Sequence, residues 1–304
     1  MLNIAFLGSG GDFSLLPLKF LLASEFNLCL IGVDGISKTF NTDPRLQIFC
    51  PEAAESVESL AGAEHIPVLD FSQNINQLCT RLEEYQLDVL IVACYSHKLA
   101  DRILTIPKIA SVNLHPSLLP AYRGPVPLFW QFRQGKNEFG ISLHKMVSSF
   151  DTGAILSQQT VSFSDGISHH QANLILGKLG AQLLVEYLQA LKIFQVIEKP
   201  QQAELSSYMS YPKDRDFKLS NKWSAQRIYN FICATKHWGR LYPCLIDNRL
   251  FNLKEVISYK PQVKDGFFTD NCSYSINQDI IFIACKAGML KARLSDPINN
   301  KTST

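Results

Sequence analysis

The sequence contains no C-x-x-C pair. Its eight cysteines, Cys29, Cys50, Cys79, Cys94, Cys233, Cys244, Cys272 and Cys285, stand apart, most of them inside apolar runs such as Asn27-Leu28-Cys29-Leu30. That spacing excludes a zinc ribbon and argues against a disulfide framework, so buried, reduced thiols of a cytoplasmic protein are expected. The seven histidines show no ligand spacing beside the cysteines, and no metal is expected. No apolar run approaches about 20 residues, so no membrane span is expected, and Met1-Leu2-Asn3-Ile4 lacks the basic start of a secretory leader. An overall excess of one charge is missing too, the net charge being +2, which excludes a polyelectrolyte. Low-complexity tracts and internal repeats are absent. The last glycine of a dinucleotide fingerprint is also wanting. Gly8-Ser9-Gly10-Gly11 is followed by Asp12-Phe13, and the stretch reads as a tight strand-to-helix turn.

What is present is an alternation of buried strands and helices. Leu2–Gly8, Leu28–Val33 and Asp88–Cys94 are near-continuous apolar runs of the kind found in parallel strands covered on both faces. Helical spacing separates them over Phe13–Leu22, Ala53–Ala63 and Asn76–Tyr85, with a short strand at 65–69. This order predicts an α/β fold with a doubly wound, mostly parallel sheet. Further strands are expected over 140–146 and 155–163, and a long helix over 171–191. The chain then turns polar from Glu198 to Leu205, where a linker is expected, giving domains 1–200 and 206–304. Beyond 205 one helix (224–234) is followed by short strand-like pieces at 244–246, 250–258, 266–268, 280–285 and 289–293, which suggest a small β-barrel. Charge divides along the chain. Residues 1–204 carry 14 Lys and Arg against 19 Asp and Glu, whereas 205–260 carry 10 against 4, a basic face suited to a polyanion or to solvent.

Most of the chemistry lies in Ser111–Gly124, SVNLHPSLLPAYRG. Residues 111–115 alternate as in a half-buried strand, which places Asn113 and His115 on one face. Pro116 ends the strand there. An amide and an imidazole are thus presented at the carboxyl end of a strand, where open α/β sheets bind ligands. Asp151-Thr152-Gly153 taken alone reads as a turn. His144, His169 and His170 read as solvated or structural, and Phe129, Trp130 and Phe132 as helix packing. Arg123 has two readings, a contact to an acidic substrate group or a pair within the protein.

The ordered set Asn113-Leu114-His115-Pro116-Ser117-Leu118-Leu119-Pro120, Arg123-Gly124, Pro127, Gly140–Met146 and Asp151–Leu156 resembles the 10-formyltetrahydrofolate-dependent formyltransferase family. The similarity is greatest to its branch acting on methionyl-tRNA, and runs firmly over residues 1–200. The resemblance implies a Rossmann-like catalytic domain, a C-terminal OB-like barrel, and transfer of a formyl group from 10-formyltetrahydrofolate to a primary amine. It implies Asn113, His115 and Asp151 as the catalytic set. Ser117, Leu118, Leu119 and Pro120 would be the loop that holds the donor. Tyr95, Ser96, Lys98 and Leu99, with Met146, Ser148 and Ser149, would be walls of the pterin slot. It implies a cytoplasmic monomer acting on initiator methionyl-tRNA, with Lys213, Arg215, Lys218, Lys222, Arg227, Lys236 and Arg240 as candidate tRNA contacts. Two departures keep a small-molecule amine, such as a nucleotide-linked amino sugar or an amino-acid derivative, as the alternative acceptor; a non-catalytic folate- or RNA-binding protein is more remote. Residues 34–51 hold only Lys38 and Arg45 where that branch has a basic Gly- and Arg-rich insertion. His237-Trp238-Gly239-Arg240-Leu241-Tyr242-Pro243 stands where it has Pro-Trp-Pro.

Overall fold

A computed structural model of the chain describes residues 1–34, 56–95, 97–263, 267–268 and 272–295. Residues 35–51, Cys50 and Ser96, all singled out above, lie outside them. The chain forms two compact units, one of Met1–Pro127, Glu138–Ser162 and His170–Ser210, the other of Leu128–Asn137, Phe163–His169 and Tyr211–Thr304.

In the first unit the apolar runs become strands. β1 (Asn3–Gly8), α1 (Asp12–Leu22), β2 (Asn27–Val33), α2 (Val57–Ala63), β3 (Val68–Asp70), α3 (Ile75–Glu84), β4 (Val89–Ala93), α4 (Asp101–Leu104) and β5 (Ala110–His115) follow one another. The helices start at local caps, Ser56 with Ser59 in a capping box before α2 and Asn74 before α3. The strands pair in parallel in the order β3-β2-β1-β4-β5, the nucleotide-fold arrangement expected. Ile4, Phe6, Val89 and Ile91 are fully enclosed, which is why these strands tolerate no polar alternation.

The last two strands, β6 (Phe139–Lys145) and β7 (Ile155–Val161), come after α5 (Pro127–Gln134) and run antiparallel. Their register sets Asn113 opposite His144 and His115 opposite Ser142. The chain continues into α6 (His169–Lys192). This helix is long and apolar enough by composition to cross a membrane, but Leu176, Gly180, Leu184 and Leu188 are buried, as in a core helix. The stretch expected to be a linker belongs to the first unit as far as Ser210.

The second unit holds a six-stranded sheet in the order β11-β12-β13-β10-β9-β8. Its elements are β8 (Leu219–Ser220), α7 (Ala225–Thr235), β9 (Tyr242–Ile246), β10 (Arg249–Lys260), β11 (Tyr274–Asn277), β12 (Ile280–Ala284) and β13 (Met289–Leu294). Pairing is antiparallel except for β8 with β9. β8 and β11 are additions to the expected strands. Phe267 and Phe268 join no strand of this sheet. The apolar side of α5 packs here, Phe129 against Phe217, Phe231 and Trp238, and Phe132 against Phe163. The architecture is therefore α/β, a Rossmann-like doubly wound sheet with a smaller β-rich C-terminal part.

Candidate active site

The antiparallel step from β5 to β6 builds the site. Asn113 on β5 faces His144 on β6, with Asn113 Nδ2 3.1 Å from His144 Nε2. His144 Nδ1 lies 2.7 Å from the Lys145 carbonyl, which only accepts, so Nδ1 carries the proton. In the tautomer protonated at Nδ1 alone, Nε2 accepts from the Asn113 amide.

His115, one turn of pleat further on, is 4% exposed. Its Nε2 lies 2.9 Å from the Tyr122 carbonyl, so Nε2 holds the proton and Nδ1 is the basic nitrogen. Nδ1 stands 3.7 Å from Asp151 Oδ1, and His144 Nε2 stands 3.6 Å from the same oxygen. Asp151 Oδ2 accepts the Gly124 N–H at 2.8 Å. Asp151 and Tyr122 both occupy left-handed backbone, φ 55° and 61°, a conformation that non-glycine residues hold only where the surroundings enforce it. Gly124, at φ 114°, has its α-carbon against the Met209 carbonyl; a β-carbon there would lie 2.2 Å from that oxygen.

Electrostatics follow from this geometry. Burial holds the His115 imidazole below its ordinary 6.5, with the Asp151 charge and the Tyr122 carbonyl opposing part of the shift. Burial pushes the Asp151 carboxyl up, but His115, His144 and the Gly124 N–H outweigh it and bring it down to about 2. His115 is therefore a neutral base beside a fixed anion at neutral pH. Protonation of His115 is easier in the unfolded chain, so its contribution to stability declines as pH falls below 6.5. Asp151 contributes stability above its unfolded value of 3.8, lost as pH falls toward 2. A titration of the His115 imidazole by NMR should give a midpoint below 6.5, and Asp151→Asn should lower it further by removing the charge that favours the imidazolium. A midpoint that rises in Asp151→Asn would contradict this arrangement.

The other sequence candidates divide. Ser117 is fully buried, its Oγ donating to the Ala121 carbonyl at 2.7 Å and its own carbonyl accepting from Ser142 Oγ at 2.6 Å. Leu119 and Leu99 are core residues. Leu118 and Pro120 remain half-buried, and Lys98, Ser148 and Ser149 are exposed. Tyr95 and Met146 pack against one cluster under the carboxyl edge of β4, where burial raises the Tyr95 phenol. Arg123 pairs within the protein, its Nε and Nη2 donating to Gln201 Oε1 at 3.1 and 2.7 Å. His170 is exposed and pairs with Asp12 at 2.6 Å, and His169 stacks on His237. Of the two readings of His144, the structure excludes the solvated one, since the ring is 2% exposed and held between Asn113 and the Lys145 carbonyl. A signal existed, since Ser142 and His144 are polar residues two apart in an apolar strand, as Asn113 and His115 are.

Among the described residues no group of His, Cys, Asp and Glu is arranged to hold a metal ion. Residues 48–188 match the family model described as formyl transferase. The methionyl-tRNA formyltransferase of Thermodesulfovibrio yellowstonii is 30% identical over 224 residues, 74% of this chain and 70% of that one. The chain belongs to the formyltransferase family. A second relative of this formyltransferase, the methionyl-tRNA formyltransferase of a Synechococcus species, is 36% identical over 158 residues, 52% of this chain and 49% of that one. In fold the formyltransferase resembles an N-formyltransferase from Helicobacter canadensis, solved with folinic acid and dTDP-3-aminofucose. The TM-score is 0.69 at 16% identity, covering 97% of this chain and 99% of that one. The protein is an enzyme of the formyltransferase type.

Proposed function

We propose that the protein transfers the formyl group of 10-formyltetrahydrofolate to a primary amine, the α-amino group of methionyl-tRNA, in the cytoplasm. The observation that carries the chemistry is the placement of His115. Its Nε2–H is committed to the Tyr122 carbonyl, and its basic Nδ1 faces the Asp151 carboxylate. The uncharged amine nitrogen attacks the formyl carbon, and the new N–C bond leaves an oxyanion. The Asn113 amide, oriented by His144, donates to that oxygen. The amine proton passes to His115 Nδ1, directly or through one water, where Asp151 stabilises the imidazolium. The bond from carbon to the folate nitrogen then breaks, the nitrogen takes up the proton held by His115, and tetrahydrofolate leaves. A folate donor is supported by the folinic acid bound to the Helicobacter canadensis enzyme. Leu118, Pro120, Met146, Ser148 and Ser149 are the residues whose exposure suits the donor, with Tyr95 and Lys98 across the edge of β4.

The tRNA acceptor is supported by charge in the second unit. A cleft of about 370 Å³ is lined by Arg133, Arg215, Lys218, Lys222, Trp223 and Leu245, with no acidic side chain in its wall. Three of the other candidate cations are tied internally. The Arg227 guanidinium lies 3.8 Å over the Trp223 ring, Lys236 pairs with Glu255 and Arg240 with Asp214. That leaves Lys213, Arg215, Lys218 and Lys222, of which the last three line the cleft and are the principal phosphate contacts. Departures at 34–51 and 237–243 favour the second reading, a nucleotide-linked amino sugar of the kind bound to the Helicobacter canadensis enzyme.

Formyl transfer from 10-formyltetrahydrofolate should be assayed with charged initiator tRNA beside a panel of amino sugars and amino acids. Turnover on the tRNA is the expected result, with binding that weakens steeply with salt. Lys218→Glu and Lys222→Glu should each weaken tRNA binding and lower the salt slope by about 1. Turnover confined to an amino sugar would replace the acceptor, and no turnover on any amine would overturn the chemistry.

A further inference from the structure

The segment after α6 is a strap across the site, not a passive connection. Lys199 and Ile155 exchange backbone hydrogen bonds of 2.8 and 2.9 Å. Further on, Tyr122 N–H donates to Ser207 Oγ at 2.8 Å, Arg123 N–H to the Ser207 carbonyl at 2.9 Å, and Met209 N–H to the Arg123 carbonyl at 2.8 Å. Between these points Gln201 spends its whole amide on the two loops that carry the catalytic groups. Its Nε2 donates to the Asp151 carbonyl at 2.8 Å and to the Gly153 carbonyl at 2.7 Å. Its Oε1 accepts two bonds from the Arg123 guanidinium, at 3.1 and 2.7 Å. Carbonyls only accept and a guanidinium only donates, so the amide has one workable orientation.

The geometry points to Gln201 as a positioning residue that sets the distance between Asp151 and His115, a role that rests on the formyl-transfer reading of this site. The two loops it joins hold the pair from opposite sides. The 122–124 loop fixes His115 through the Tyr122 carbonyl and Asp151 through the Gly124 amide. The 151–153 turn carries the carboxylate itself. Both loops contain a residue in left-handed backbone, Tyr122 and Asp151, so neither holds its shape without tethers. At 3.7 Å the Asp151–His115 contact is longer than a hydrogen bond. It does not hold itself together, and its strength follows wherever the turn is placed. Arg123 is the second half of the same clamp, which is why its guanidinium faces inward.

Gln201→Ala should lower kcat roughly 10- to 100-fold, the scale of a small displacement of catalytic groups, with the KM for the formyl donor changed less than threefold. In an Asp151→Asn background the same substitution should cost less than threefold more, because its route runs through that carboxylate. Gln201→Glu keeps size and the Arg123 pair but turns an acceptor on both carbonyls, and should be as harmful as Gln201→Ala. A residue that merely fills space would be rescued by Glu. Independently of activity, the NMR titration of His115 should move to lower pH in Gln201→Ala as the carboxylate draws away. If Gln201→Ala does not fold, Arg123→Lys, which keeps both bonds to the carbonyls and breaks the fork to Oε1, should move the His115 titration in the same direction by less. An unmoved His115 titration, or losses that multiply with Asp151→Asn, would overturn the clamp. A shifted titration in a protein that formylates no amine would keep the clamp and reject the reaction.

Discussion

Asn113→Ala is expected to lower kcat for formyl transfer roughly 10²–10³-fold, the loss typical of one oxyanion donor, with His115→Ala costing at least as much. The two should not multiply. In the proposed mechanism Asn113 donates to the oxyanion and His115 takes the amine proton, so both would act on one transition state, and residues that work as a unit are strongly non-additive. Asn113→Ala has a second consequence. It removes the donor to His144 Nε2, and the His144 ring then faces Asp151 Oδ1 at 3.6 Å with a lone pair it had committed elsewhere. Asn113→Ala therefore loosens the His144 ring as well as removing the proposed oxyanion donor. Single-turnover transfer of a labelled formyl group by the two single variants and the double variant measures the effect. Activity within threefold of the parent in the double variant would remove Asn113 and His115 from the chemistry.

The second large effect is on the scaffold. Gly153→Ala should destabilise the protein by roughly 3 kcal/mol or more and inactivate what remains folded, since overpacking against backbone has no soft neighbour to yield. A β-carbon at 153 would lie 2.0 Å from the Lys145 carbonyl oxygen and 2.8 Å from its carbon. The approach is close because the Lys145 N–H bonds the Ala154 carbonyl at 2.9 Å, which folds the turn back on the end of β6. Relief requires the turn to move outward, and Asp151 moves with it, away from both imidazoles. Gly62→Ala is the control. That glycine lies within α2 with nothing within 4 Å of an added β-carbon, and the change should stabilise by about 0.5–1 kcal/mol. Urea unfolding of both variants checks the pair, and a Gly153→Ala protein as stable as the parent would sink the account of the turn.

Much of this site is legible in the chain because its determinants are local. Asn113 and His115 lie two apart on one strand, Pro116 ends that strand, and the apolar runs of β1, β2 and β4 specify a parallel sheet without tertiary information. What is illegible depends on pairing between distant segments. Nothing in 140–146 states that β6 runs antiparallel to β5, and that direction alone sets His144 opposite Asn113. Gln201 is hidden for a related reason. Polar residues after a long helix read as a solvated connection, and a glutamine buries its amide only when the carbonyls and the guanidinium it needs arrive from residues 48 to 78 positions away. Arg123, ambiguous in sequence, is settled by the same contact.

Membership of the two units alternates along the chain, with 128–137 and 163–169 counted in the second unit while the segments on either side belong to the first. The C-terminal part is therefore not a cassette. A chain cut near residue 205 would retain α5 and Phe163 without Phe217, Phe231 and Trp238, the aromatic partners that cover Phe129. Any transplant of the second unit has to carry three separate stretches of sequence together, Leu128–Asn137, Phe163–His169 and Tyr211–Thr304.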